Sequence, residues 1–462
     1  MTDHATDHFR GRHYTADHIS GPIAFLNPTT RLVPIQKAKP KPTRGDSTGP
    51  QPDDNAKLPT PEGPAAGTHQ QQQQQPSRPP SPPHHPAIYH IWRSRDNRKG
   101  RHALALTPST VADPTVSTTH QPTNTLKATL AGLARMALRY PVWDVSYDVA
   151  AIFTLGSVVW VVNGFLVLLP MTDPAGAWGG EALWGGGVSA MVGATIFEVG
   201  SVFLMLEAVN ENRSECFGWA LEEALGHGKG DLVLRKDSSG CRHHHQDRKA
   251  WLGGKSVVDD GHGGDEDAAG LVDGEGKGGG GDSEEGGASK GKGKRRWTWW
   301  PSWYELRTHY VRDIGFLACL SQMIGATIFW IAGFTGLPQI IGVLTVPATN
   351  GIYWLPQVVG GTGFIVSSFL FMLETQPNWY TPELKTLGWH IGFWNLVGAI
   401  GFTLCGALGF SESNEGCEVA LTWSTFIGSW AFLIGSVIQW YESLDKYPVA
   451  VGKVAGLKEE KS

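Results

Sequence analysis

Between residues 149 and 172, 314 and 373, 386 and 411, and 419 and 441, the chain runs on apolar and small residues without an Asp, Glu, Lys or Arg. A helix needs about 20 such residues to cross a hydrocarbon layer about 30 Å thick, so each interval holds one span or a pair. Spans are expected near 149–170, 185–206, 314–335, 353–373, 389–410 and 419–441. The pattern predicts an all-α fold, a polytopic membrane bundle of six transmembrane helices.

Three of these spans share one spacing, Gly-x3-Phe-x2-[Gly/Ser]-Ser-x5-Glu. It runs Gly193, Phe197, Gly200, Ser201, Glu207; Gly360, Phe364, Ser367, Ser368, Glu374; and Gly428, Phe432, Gly435, Ser436, Glu442. The span before each carries a second shared spacing: Gly156, Trp160, Gly164; Gly325, Phe329, Gly333; Gly398, Phe402, Gly406. The chain therefore reads as three repeated hairpins, 141–207, 313–374 and 375–447. At 100° per residue the shared positions fall on one stripe of each helix. Helices in lipid associate through small residues that let backbones approach, so the stripe is expected to be the seam inside each hairpin. The same stripe could serve between copies of the chain, and the oligomeric state is left open.

Charge orients the bundle. The connections 171–184, 337–352 and 411–418 contain no Lys or Arg, whereas Lys127, Arg135, Arg139, Arg213, Arg295, Arg296, Arg307, Arg312, Lys385 and Lys446 flank the other ends. By the positive-inside bias the three bare connections face outward and both termini are cytosolic, in a plasma or endomembrane. Trp and Tyr gather at the same boundaries, among them Trp300, Trp303, Trp379 and Tyr380 inside and Trp178, Trp184 and Trp423 outside. The mean hydropathy is nonetheless slightly negative, because polar segments dilute the spans.

Those segments read differently. Residues 1–125 are dense in Pro, Gln, His, Ser and Thr, bury too little apolar surface to offset ordering entropy, and are expected to form a disordered cytosolic tail. Residues 126–140 space Leu126, Leu130, Leu133 and Ala137 helically beside Lys127, Arg135 and Arg139. They suggest a basic amphipathic helix on the inner leaflet, or an extension of the first span. Residues 208–312 read as a disordered Gly-rich acidic loop with a basic, aromatic end at Lys290–Trp303, and 448–462 as a cytosolic tail. The expected partners are the bilayer, anionic lipid at the inner leaflet and cytosolic proteins that contact the disordered segments. Nothing in the pattern points to nucleic acid. The one Asn-x-[Ser/Thr] sequon, at Asn212, lies on the inner side and should carry no glycan.

Candidate chemistry is sparse. Glu198 lies nine residues before Glu207, about 13 Å deeper, and intramembrane carboxylates are functional candidates. Gln322 and Asn395 reach a comparable depth, so the three form a candidate intramembrane polar site. Glu207, Glu374 and Glu442 each close a helix, where a carboxylate opposes the helix dipole and calls for a partner. Arg139, Arg312 and Lys385 are the candidates for these inner-rim ion pairs. Cys241 with His243, His244 and His245 lacks a second pair at zinc-finger spacing, so no metal or other cofactor is assigned.

The hairpin with Gly, Phe, Gly-Ser and a closing Glu resembles the two-helix YrhK-type membrane module. The whole arrangement is similar to fungal integral membrane proteins built from such hairpins, and this resemblance implies no activity, catalytic residue or ligand. No His box, Ser-His-Asp arrangement or phosphate loop accompanies the spans, so no enzyme is expected. A membrane scaffold or sensor is the leading expectation. The alternative is a transporter or channel for a small solute or ion that uses the polar layer.

Overall fold

The computed structural model describes residues 19–34, 88–106, 122–224 and 297–451. Six helices in it are long and apolar enough to cross a membrane. In chain order the elements that matter are β1 (Ile19–Ser20), β2 (Thr30–Pro34), β3 (Ile88–Arg93), α1 (Ser94–Arg98), β4 (Ala103–Leu106), α2 (Leu126–Leu138), α3 (Val145–Thr172) and α4 (Gly187–Val209). They continue with α5 (Ile314–Thr335), α6 (Leu355–Thr375), α7 (Leu387–Gly409), α8 (Glu415–Leu444) and β5 (Val449–Val451). One π-helical stretch, Glu181–Gly186, leads into α4 and another, Asn350–Trp354, into α6.

Three of the spans start where a side chain accepts the first free amides. Asp144 caps α3, Asp313 caps α5 and Asn414 caps α8. Each satisfies donors that lipid could not. The six helices pack in a closed ring, α3, α4, α5, α6, α7, α8 and back to α3. In the α3–α4 and α7–α8 pairs each aromatic of the shared spacing lies over the partner's glycine, whereas in the α5–α6 pair Phe329 lies over Gly360 and Gly325 meets the Gly360 and Gly363 backbone. A Cβ on Gly156 would come 2.6 Å from the Phe197 ring and one on Gly193 2.8 Å from the Trp160 indole. Gly398 stands in the same relation to Phe432, and Gly428 to Phe402. Alanine at these positions would push the helices apart and forfeit the close contact on which association in lipid depends.

All six aromatics meet on the axis. Trp160, Phe329 and Phe402, one from each of α3, α5 and α7, have ring centroids 4.8 to 5.8 Å apart. Phe432 of α8 lies 5.6 Å from Phe197 of α4, 6.4 Å from Phe364 of α6 and 5.3 Å from Phe402. The axis at this depth is filled by rings in edge-to-face and tilted contact, which their quadrupoles favour.

A five-stranded sheet, order β1-β2-β3-β4-β5, lies at the end of the bundle where α4, α6 and α8 finish. β4 pairs in parallel with β5, Leu104 against Val449 and Leu106 against Val451, so sequence before the first span joins sequence after the last. This corrects the reading of 1–125 as a disordered tail: within it, residues 19–34 and 88–106 are folded. The reading of 208–312 as a disordered loop is corrected at both ends. Asn210 donates to the Thr298 carbonyl at 2.8 Å and accepts from its amide at 2.7 Å, and Phe217 packs on Trp297, which is buried. Within the basic, aromatic end, Trp297 is thus a core residue, while Trp300 and Trp303 remain exposed. The Cys241–His245 cluster lies outside the described residues.

Candidate functional site

The densest chemistry is a buried charge cluster between the sheet and the bundle. α1 is a single short helix, Ser94–Arg98, ended by Gly100 at φ +60°, a left-handed turn that favours glycine. On so short a helix Arg95, Arg98 and Lys99 project together, three and four residues apart. The β3 and β4 strands on either side hold this basic turn against the ends of α4, α6 and α8.

There it meets the repeated carboxylates, Glu207, Glu374 and Glu442, which are 0%, 1% and 1% exposed. Arg98 donates to both oxygens of Glu374 at 2.7 and 2.9 Å and to Glu207 at 3.3 Å, with its guanidinium 5.4 Å from the centre of the Phe371 ring. Arg95 donates to both oxygens of Glu442 at 3.3 and 2.7 Å. Arg101 bridges Glu442 and Asp96, at 3.2 and 2.6 Å, and donates to the Asp445 carbonyl at 2.8 Å. The Ser94 hydroxyl adds a donor to Glu374 at 3.0 Å. Lys446 ties the rear, donating to the Lys99 carbonyl at 2.7 Å and pairing with Asp144 at 2.6 Å. One short segment thereby grips the ends of three helices. We call residues 94–101 the latch.

Two small residues make room for it. A Cβ on Gly388, at the start of α7, would lie 2.5 Å from the Arg95 Nε, and one on Gly315, at the start of α5, would strike the Arg98 guanidinium and Glu374. Burial alone would disfavour the charged guanidinium of Arg98. Glu374 and then Glu207 reverse that and raise its pKa well above the ordinary value. Arg101 is likewise raised, burial being outweighed by Asp96, Glu442 and Asp445. Lys99 goes the other way. Burial lowers its pKa, with Glu207 opposing, and its Nζ sits 3.7 Å from Glu207 without a hydrogen bond.

The partners therefore differ from those expected. Glu207, Glu374 and Glu442 pair with Arg98, Lys99, Arg95 and Arg101, not with Arg139, Arg312 and Lys385. Arg312 and Lys385 are exposed at the starts of their helices and Arg139 lies just past the end of α2. A planar fork satisfies a buried carboxylate better than a long surface chain at the rim does. The available signal was the basic run Arg95, Arg98, Lys99 and Arg101, flanked by apolar strand-like residues inside an otherwise Pro- and Gln-rich tail.

Comparisons bring no relative into view. No family model, no curated protein and no solved structure matches the chain.

The residues of the expected polar layer sit on three helices, α4, α5 and α7. Glu198 accepts from the Thr327 hydroxyl at 2.9 Å across the α4–α5 contact, and its other oxygen is enclosed without a hydrogen bond. Asn395 lies over Gly435, where a Cβ would come 2.7 Å from its side-chain oxygen. Gln322, on α5, is partly buried. No described hydrogen bond joins these three side chains, and the aromatic cluster occupies the axis beside them. At the opposite end of the bundle an apolar groove of about 450 Å³ opens between α3 and α4, lined by Val159, Trp178, Trp184, Val188 and Val192.

Proposed function

We propose that this multi-pass membrane protein is a scaffold or sensor without a solute path: three hairpins related about the membrane normal, closed at one end by the latch. The observation that carries the reading is the meeting of Trp160, Phe197, Phe329, Phe364, Phe402 and Phe432 on the axis. A solute crossing there would have to displace packed rings, and a hydrated ion would lose its water with no polar group in exchange. The reading assigns no catalytic chemistry. It places the latch and both termini on the cytosolic side, supported by the Lys- and Arg-free connections at the other end.

The test is flux. Vesicles containing the full chain should pass protons, potassium and chloride no faster than protein-free vesicles. Flux that disappears in Glu198→Gln would instead establish the transporter reading, for which the unpartnered Glu198 oxygen is the supporting observation.

A further inference from the structure

The leucines of α2 face away from the protein. Leu126, Leu130 and Leu133 lie along one face, 76%, 57% and 51% exposed. The helix touches the bundle elsewhere. A Cβ on Gly132 would run into the Tyr441 ring, and Arg135 donates to the Leu444 carbonyl at 3.4 Å and lies 3.9 Å from Asp445. α2 is not an extension of the first span, since it ends at Leu138 and α3 begins at Val145. Its sequence through Arg139 holds Lys127, Arg135 and Arg139 and no acid. An apolar face flanked by cations, beside the end of a membrane span, matches the chemistry of a headgroup layer with anionic lipid.

The seat of α2 is shared with the latch. Arg101 reaches the Asp445 carboxylate at 3.8 Å and the Asp445 carbonyl at 2.8 Å, while Arg135 approaches the other carboxylate oxygen. Both cations also meet the negative end of the α8 dipole. We propose that α2 binds the anionic headgroup layer of the bilayer that the bundle spans, and that this binding favours the closed latch through Asp445. A lipid that prefers the seated helix must, by linkage, favour whatever the seated helix favours. The inference rests on the sensor form of the reading above.

The experiment uses the full chain, with Cys241 and Cys417 changed to Ser and Leu130→Cys carrying a spin label. It is placed in nanodiscs of phosphatidylcholine alone or mixed with phosphatidylglycerol. The label should collide with lipid-soluble oxygen more than with a water-soluble nickel chelate. With phosphatidylglycerol present, amides of residues 94–106 should exchange several-fold more slowly, and Lys127→Glu should erase that difference. A label open mainly to the nickel chelate would put α2 in water and overturn the proposal. Shielding from both reagents with spin–spin broadening would mean that a second copy covers the leucines, and would also overturn it. An oxygen-exposed label with identical exchange in both lipids would refute the linkage to the latch. None of these outcomes bears on vesicle flux, so failure here is distinguishable from failure of the scaffold reading.

Discussion

Arg98 is the latch residue that touches two of the repeated carboxylates, and Arg98→Ala is the sharpest perturbation of the cluster. The substitution removes two short hydrogen bonds to Glu374 and one to Glu207. It leaves Glu374 with the Ser94 hydroxyl and Glu207 with Lys99 at 3.7 Å. Removing one partner of a buried ion pair costs about 3–5 kcal/mol, most of it the penalty of the stranded charge. At a few degrees per kcal/mol this lowers the unfolding midpoint by on the order of 10 °C. Tryptophan fluorescence during heating in nanodiscs reads the shift, and unfolding half-lives replace midpoints if the transition is irreversible. Arg98→Lys keeps the charge but loses the fork, and should fall between. Because Glu374→Ala removes the same interaction, the double variant should be less destabilised than the sum of the singles by more than about 1 kcal/mol. Arg312→Ala and Lys385→Ala, at exposed positions, should stay within about 0.5 kcal/mol of the parent. Additivity of Arg98→Ala with Glu374→Ala, or a loss in Lys385→Ala as large as in Arg98→Ala, would refute the assignment of partners.

Three further outcomes follow from the same contacts. Phe402→Ala, which opens the centre of the aromatic cluster, should cost about 3–5 kcal/mol in the same thermal assay, and a loss under about 1 kcal/mol would mean that the axis is not packed. Deleting residues 1–125 strips the three carboxylates of their cations and should give aggregated protein in detergent; a monodisperse product on size exclusion would show that the latch is dispensable. The carboxyl of Asp313, which caps α5, is pushed up from 3.8 to about 7, chiefly by burial and then by Glu211 and Glu374. Between those values the folded state holds a proton that the unfolded chain releases, so this group's stabilising contribution is full below about pH 4 and is lost as pH rises towards about 7. Asp313→Asn keeps a capping oxygen and removes the titration. It should match the parent near pH 4 and exceed it near pH 8, as read by unfolding midpoints across pH.

What was legible in the sequence was what periodicity and charge-free length encode. The six spans follow from bilayer thickness: the first helix runs Val145–Thr172 against an expected 149–170, and the largest departure is at the fourth, whose helical stretch begins at Val346, seven residues early. The Gly and aromatic positions marked the seam before the rings were seen to meet. The need of Glu207, Glu374 and Glu442 for partners was also readable, because a carboxylate at a helix end is unfavourable alone. Who the partners are was not. Arg98 is 276 residues from Glu374 and sits in a segment whose average composition is that of a disordered tail. Composition averages over a window, whereas eight residues between two short strands suffice to make the latch. Depth alone says less about the polar layer: Glu198 accepts from Thr327 on the neighbouring helix, Asn395 lies over Gly435, and the rings take the axis.

Amide hydrogen exchange of residues 94–106, in the full chain in nanodiscs, tests the central claim most directly. The account predicts exchange as slow as that of the spans, and a jump to fast exchange when Glu207, Glu374 and Glu442 are all changed to Gln. Rapid exchange of 94–106 in the parent protein, at the rate of an unstructured tail, would contradict it.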